Sequence, residues 1–133
     1  MIRLTDKEIN AILGKNQDIR YSYSLKRIAD NDSLWILSSN DGEILCILDE
    51  EKKVFPIWPF KEYAEKYIHA LDKDSDYNVR KMSLEKFDDE LIDPLCEKEM
   101  PICLFPVSET DKGKIVSVNT FVEDLAVELE DYK

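Results

Sequence analysis

Residues 34–59 read LWILSSNDGEILCILDEEKKVFPIWP, and the reading of this stretch decides the fold. Three strand-length apolar runs alternate with two polar turns. Residues 34–38 carry Trp35 and Leu37. Asn40-Asp41-Gly42 is a tight-turn signal, because these residues tolerate the positive φ that hairpin turns require. Residues 44–48 form an unbroken apolar run, which predicts a central strand buried on both faces. Residues 49–53, Asp-Glu-Glu-Lys-Lys, read as a charged turn. Residues 54–58 are the third run. Pro56 and Pro59 have no amide to donate, which predicts an edge strand ending at Pro59.

Working outward toward the N-terminus, Thr5-Asp6-Lys7-Glu8 is a capping box in which Thr5 and Glu8 can each satisfy an amide of the other. Ile9, Ile12 and Leu13 follow at helical spacing, and Gly14 ends the helix. A second helix is predicted over 17–29, with Tyr21, Leu25, Ile28 and Ala29 as its apolar stripe. Toward the C-terminus, Phe60, Tyr63, Ala64, Tyr67, Ile68 and Leu71 line one side of a helix over 60–71. Residues 72–76 read as an acidic loop, and 79–82 as a short strand. Ser83 caps a helix carrying Leu84, Phe87, Leu91 and Ile92. Asp93-Pro94 reads as a cap and first residue of a further turn through Glu97. Residues 101–107 and 114–118 form a second hairpin around Asp111-Lys112-Gly113. Thr120 and Glu123 read as a capping box for a last helix with Phe121, Leu125, Leu129 and Tyr132 as its stripe. The order predicts an α+β fold, a single compact domain over 1–133. A largely antiparallel sheet of about five strands packs with four or five helices, and no linker divides the chain.

The chain has 133 residues with 29 Asp and Glu against 18 Lys and Arg, a formal net charge of -11. The charge is uneven: +1 over residues 1–34, -3 over 35–82 and -9 over 83–133. Such a surface repels phosphate backbones and anionic membranes, so nucleic-acid and membrane partners are not expected. A basic protein partner is compatible with it. No apolar run reaches signal-peptide or membrane-spanning length, and a cytoplasmic location is expected. Cys46, Cys96 and Cys103 are too few and too scattered for a disulfide framework or a zinc site. Cys46 and Cys103, inside apolar runs, are expected to be buried small hydrophobes.

Several ordered blocks are similar to a known family. Arg20-Tyr21, Leu25-Lys26-Arg27-Ile28-Ala29-Asp30 and Trp35 match its first block. Pro56-Ile57-Trp58-Pro59 with Glu62-Tyr63-Ala64 matches the second. Ser83-Leu84-Glu85-Lys86-Phe87, Leu104-Phe105-Pro106, Gly113-Lys114 and the acidic 125–132 segment match the later ones. Together they resemble domain-of-unknown-function family 2750, a group of small bacterial proteins. The resemblance carries no activity with it. The chain departs from the pattern in the first hairpin, in the loop over 71–78, and near 99–100, where Glu99-Met100 replaces an expected Gly.

The inventory for familiar chemistry is thin. Nucleophilic triads need an imidazole beside the nucleophile, and His69 alone, on a helix flank, does not supply one. The carboxylate pairs at Asp88-Asp89-Glu90, Glu97 with Glu99, and Glu128 with Glu130-Asp131 fall on faces expected to be solvated. Asp72, Asp74 and Asp76 have a calcium-loop spacing without its central Gly or closing Glu. Gly14, Gly42 and Gly113 lie too far apart to cradle a phosphate. No catalytic residue, metal or cofactor is expected.

Two readings stay open. In the first, the chain is a non-catalytic binding or regulatory module. Its acidic later half, with Asp88, Asp89, Glu123, Asp124 and Glu128 facing outward, meets a basic partner, as an immunity protein meets a cationic toxin. In the second, Arg20, Arg27, Trp35, Trp58 and Pro59, with Tyr21 beside them, form a binding pocket for a small molecule or the site of an unknown enzyme. Cations beside amphipathic rings make both hot spots and ordinary core.

Overall fold

The computed structural model describes residues 5–39, 41–70, 77–108 and 110–130. In chain order these form α1 (Asp6–Leu13), α2 (Gln17–Asn31), β1 (Ser33–Ser39), β2 (Ile47–Asp49), β3 (Lys52–Ile57) and α3 (Lys61–Ala70). They continue with β4 (Tyr77–Ser83), α4 (Leu84–Glu90), α5 (Ile92–Glu97), β5 (Ile102–Leu104), β6 (Lys114–Val116) and α6 (Val118–Glu130). The fold is α+β and mostly antiparallel. β1 pairs with β4, and a four-stranded sheet runs β2-β3-β5-β6, its β3–β5 pair parallel.

Side-chain alternation along the strands divides the interior into two cores. Leu34 and Ile36 of β1, Phe55 and Ile57 of β3, and Ile102 and Leu104 of β5 face one core. Helices α2, α4, α5 and α6 close it with Leu25, Phe87, Leu95 and Phe121. Leu37, Trp58 and Phe105 face the other, closed by Ile9 of α1 and by Tyr63, Ala64 and Tyr67 of α3. The sheet is thus a middle layer with helices over both faces.

The first hairpin departs from its expected form. Its turn is made: the Gly42 amide donates to the Ser39 carbonyl (3.0 Å) and the Leu45 amide to Leu37 (3.0 Å). Residues 44–48 nonetheless form no central strand, since Cys46 is exposed and Leu48 is 57% exposed. The long partner of β1 is β4, matched from Ser33↔Ser83 to Ser39↔Tyr77. After touching β1 at Ser38↔Ile44, the chain swings out to pair with β3 as the edge strand β2.

The third run is central rather than an edge. β3 pairs with β5 on one side, where the Phe55 amide donates to the Pro101 carbonyl (2.9 Å). Its other side is shared. Val54 pairs with Ile47 of β2, and Trp58 exchanges two backbone hydrogen bonds with Trp35 of β1 (2.9 and 3.0 Å). Pro56 sits between them on that side, where β2 has left and β1 has not arrived. Its missing amide therefore costs no ladder bond, and a proline fits inside a central strand.

Other boundaries also shift. Strands extend into the charged turn, which shrinks to Glu50-Glu51 with Glu50 at φ 58°. The helix after Ser83 breaks at Leu91 into α4 and α5, with Pro94 in the first turn of α5, where it is tolerated. Ser117, not Thr120, caps α6: its hydroxyl accepts from the Thr120 amide (3.1 Å). The calcium-like spacing at 72–76, Leu71 and Tyr132 lie outside the described residues.

α5 ends in a Schellman motif. The Met100 amide donates to the Leu95 carbonyl (2.9 Å) and the Glu99 amide to Cys96 (3.1 Å), with Glu99 at φ 52°. This is the stretch, near 99–100, where the resemblance predicts a Gly, and a residue with a Cβ is strained at Glu99. Glu99→Gly is expected to stabilise the protein by about 1 kcal/mol in urea unfolding. Gly42 and Gly113 give a contrast. Both have positive φ, but a Cβ on Gly42 meets open space. On Gly113 it would fall against the Leu104 carbonyl oxygen and 2.7 Å from that of Phe105. Gly42→Ala should cost about 1 kcal/mol and Gly113→Ala about 3 kcal/mol or more, read by the same unfolding curves.

Candidate functional site

Of the Arg and Trp residues singled out in the sequence, Arg20 and Trp58 reach the loop joining β5 and β6, through Asp111 and Pro106. α2 starts at the Asn16 cap, whose side chain accepts from the Ile19 amide (2.9 Å), and this sets the helix phase. That phase turns Arg20 inward beside Tyr21, and Arg20 is only 2% exposed. Its Nη1 donates to the Lys15 carbonyl (2.7 Å) and its Nη2 to Asp111 Oδ1 (2.7 Å). The guanidinium lies 5.6 Å from the centre of the Phe105 ring. Its Nε is buried without a hydrogen-bond partner among the described residues.

Asp111 is held through its carbonyl, amide and carboxylate, with its side chain 39% exposed. Its carbonyl accepts from the Val107 (2.8 Å) and Ser108 (3.1 Å) amides, and its own amide donates to the Ser108 hydroxyl (3.2 Å). Its carboxylate also accepts from the Gly113 amide (3.2 Å). Burial pushes the Asp111 carboxyl up, but hydrogen bonds from Arg20 and Gly113 outweigh this and hold it below the usual value. The loop closes over Phe105, a fully buried aromatic at φ 64°, which is costly for a bulky side chain. The contacts that pin it are the Phe105 amide to Ile57 (2.9 Å), the Tyr63 ring tilted at 46° with its centre 4.5 Å away, and the Arg20 clamp.

Arg27 belongs to a neighbouring network. It reaches Glu8 of α1 (3.2 Å), Asp30 (3.7 Å) and the face of Tyr23 (5.5 Å). Glu8 also accepts from the Tyr23 hydroxyl (2.5 Å), which meets the Tyr63 hydroxyl (2.8 Å). The capping box is therefore half used: Thr5 accepts from the Glu8 amide (3.1 Å), while the Glu8 carboxylate bonds to α2. Burial, then Glu8 and Tyr63, push the Tyr23 phenol far up. Tyr63 is pushed up to about 12, mainly by burial.

Trp58 is fully buried, with its indole N–H donating to the Pro106 carbonyl (2.8 Å) and its ring 5.4 Å from Tyr67. Pro59 is buried and Trp35 half-buried. Of the five residues, Arg20 and Trp58 border the β5–β6 loop, Trp35 pairs with Trp58, and Arg27 is engaged separately by Glu8 and Asp30. Clefts open elsewhere. One of about 380 Å³ lies between Leu95–Pro101 and Ile115–Asn119. A second, of about 400 Å³, is polar and includes the exposed His69. A third, of about 720 Å³, is lined by Lys52, Lys53 and Lys98 around Cys46. Cys46, expected to be buried, instead lies at the surface because its run is not a central strand, and its thiol donates to Met100 Sδ (3.4 Å). Cys103 is buried as expected.

The acidic set lies on the other side of α2. Asp88 and Asp89 of α4 and Glu123 of α6 are exposed, and Glu128 is half-buried. Asp124 faces α2 and accepts from the Tyr21 hydroxyl (2.6 Å). Phe87 and Phe121 stack edge to face at 5.8 Å, so α4 and α6 share one anchor beneath their acidic surfaces. No group of three or more His, Cys, Asp or Glu is placed to hold a metal ion among the described residues, and no helix there is long and apolar enough to cross a membrane.

The residues that sequence reasoning missed are Asp111, Phe105, Glu8, Tyr23 and Tyr63. Their sequence signals were of other kinds: Glu8 in a capping box, Tyr63 on a helix stripe, Tyr63 and Phe105 in blocks of the family resemblance, and Asp111 in a turn.

Two titrations test these networks. Asp111 is depressed in the fold, so its contribution to stability is present above the usual carboxylate range and is lost as pH falls through the folded value. Asp111→Asn should flatten the acid limb of the stability curve. Tyr63 is raised, so its contribution is full below 10 and is lost between 10 and about 12. Alkaline titration should show Tyr21, Tyr23 and Tyr63 ionising only together with unfolding, as followed by tyrosinate absorbance and circular dichroism.

Residues 21–125 match the family described as "Protein of unknown function (DUF2750)". No curated protein matches the chain.

Proposed function

We propose that this chain, which belongs to the DUF2750 family, is a non-catalytic protein-binding module that engages a basic partner through the face made by α4, α5 and α6. One observation carries the reading, the one-sidedness of the charge. Glu85, Asp88, Asp89, Glu90, Asp93, Glu97, Glu123, Glu128 and Glu130 stand on these three helices against a single lysine, Lys86, while Asp124 turns inward to Tyr21. Among the described residues only Glu90 has an ion pair there, with Lys86 at 3.8 Å. Unpaired like charges repel and destabilise the folded chain, while a field of one sign speeds encounter with the opposite sign and excludes wrong partners.

The face is not purely polar. Val127 of α6 is 62% exposed among these carboxylates, and Val122 is partly exposed. Exposed apolar side chains within a charged rim fit an interface better than a surface meant only for water. The Arg20 and Trp58 region supports the reading from the other side. Those side chains are spent on internal contacts, which leaves the outer helices as the freer chemistry.

The test is affinity capture from lysate with the wild type and with Asp88→Asn, Asp89→Asn, Glu123→Gln, three substitutions at exposed positions. The reading expects a basic protein held at low salt, released at high salt, and bound about tenfold more weakly by the triple variant. Equal capture by both proteins, or capture of nothing basic, contradicts it.

A further inference from the structure

We propose that the cleft between the end of α5 and the start of α6 receives an apolar side chain, leucine-sized, from a lysine- or arginine-flanked segment of a basic partner. The proposal rests on the acidic-face reading and says where on that face the partner seats.

The cleft follows from two chain reversals. The Schellman turn at Glu99 bends residues 99–101 back toward β5, and Ser117 starts α6 directly after β6. Between them a hollow of about 380 Å³ remains, floored by Leu95, Met100, Val116 and Val118, with Cys96 and Ile115 at its mouth. Ile115 is one of the few large apolar side chains left more than a third exposed. Helical spacing extends the wall: Val122, partly exposed, follows Val118 by four residues and stands one turn further along the same side of α6.

The rim decides the occupant. Glu99 lines the cleft itself, while Lys98 beside it lines the neighbouring cleft with Lys52 and Lys53, so among the described residues no cation lines this one. Asp93 lies three residues before Cys96 and Glu123 four after Asn119, so each prolongs a cleft wall with an exposed carboxylate. An apolar floor inside a carboxylate rim rejects an anionic ligand by repulsion and leaves a purely apolar one without use for the rim. A segment with a central leucine and basic flanks satisfies both parts: the side chain removes apolar surface from water, and the cations complement Asp93, Glu99 and Glu123.

The experiment uses two fluorescent synthetic peptides that differ at one position. One has leucine between two Lys-Arg-Lys flanks, and the other has serine there. Binding to the full chain is read by anisotropy at low salt. The leucine peptide should bind about tenfold more tightly than the serine peptide. Ile115→Glu, which adds negative charge at an exposed site, should nevertheless weaken the leucine peptide about tenfold and leave the serine peptide unchanged or tighter. Val122→Ser supplies a second variant at an exposed position, expected to weaken only the leucine peptide. Urea unfolding of each variant confirms the fold. If both peptides bind the wild type equally and Ile115→Glu strengthens both, the cleft is not the seat, while the acidic-face reading stands. If neither peptide binds, both fail. If sedimentation shows a dimer that Ile115→Glu dissolves and the leucine peptide does not, a second copy occupies the cleft and the proposal is overturned.

Discussion

A buried guanidinium sits where three parts of the chain meet, and the arrangement of the molecule depends on how that charge is satisfied. Arg20 comes from α2, the carbonyl of Lys15 from the turn before it, and Asp111 from the loop between β5 and β6. Taking a cation out of water is expensive, and the expense is recovered only by close, well-aligned partners. Two bonds at 2.7 Å and an aromatic face provide them, with one nitrogen left over. Asp111 passes the constraint on. Its carbonyl, amide and carboxylate hold Val107, Ser108 and Gly113, and the carbonyls of Leu104 and Phe105 leave no room for a Cβ at Gly113. The left-handed backbone of Phe105 persists because these neighbours over-determine it.

The division of the surface follows. On one side of α2, Arg20 and Arg27 draw α1, α3 and the β5–β6 loop into hydrogen-bonded networks that consume their own charges. On the other side, α4, α5 and α6 are held from beneath by apolar contacts such as Phe87 on Phe121, with one carboxylate, Asp124, bonded inward to Tyr21. Internal ion pairs and outward charge are thus placed largely on different elements.

Much of this was legible in the sequence, and the misses have physical causes. Helix starts at Thr5 and Ser83 were readable because caps are local: one hydroxyl and one amide three residues on. The α6 start was placed three residues late because Ser117 and Thr120 offer the same chemistry at the same spacing. The strand order was hidden because it depends on tertiary pairing. Nothing near residues 44–48 says that β4, far along the chain, pairs with β1 more extensively than the run across the turn. Pro56 pointed to an edge because a proline reads as a lost donor. Only the handover from Ile47 to Trp35 shows that no donor was needed there. At the site, Arg20 and Trp58 were visible as residue types, but Asp111 is 91 positions from Arg20 and gave only a turn signal. The departure from the family pattern at Glu99 was readable and marks a real cost, a left-handed residue with a side chain.

The coupling between Arg20 and Asp111 is the quantity on which this account turns, and a double-mutant cycle measures it directly. Arg20→Met, Asp111→Asn and the double variant would be unfolded in urea beside the wild type. Both single variants should be destabilised, and the double variant should lose about 2 kcal/mol less than the sum of the two single losses, which is the coupling energy. Additive single effects, with a coupling below about 0.5 kcal/mol, would show that the loop is held by something else and that the ion pair is incidental.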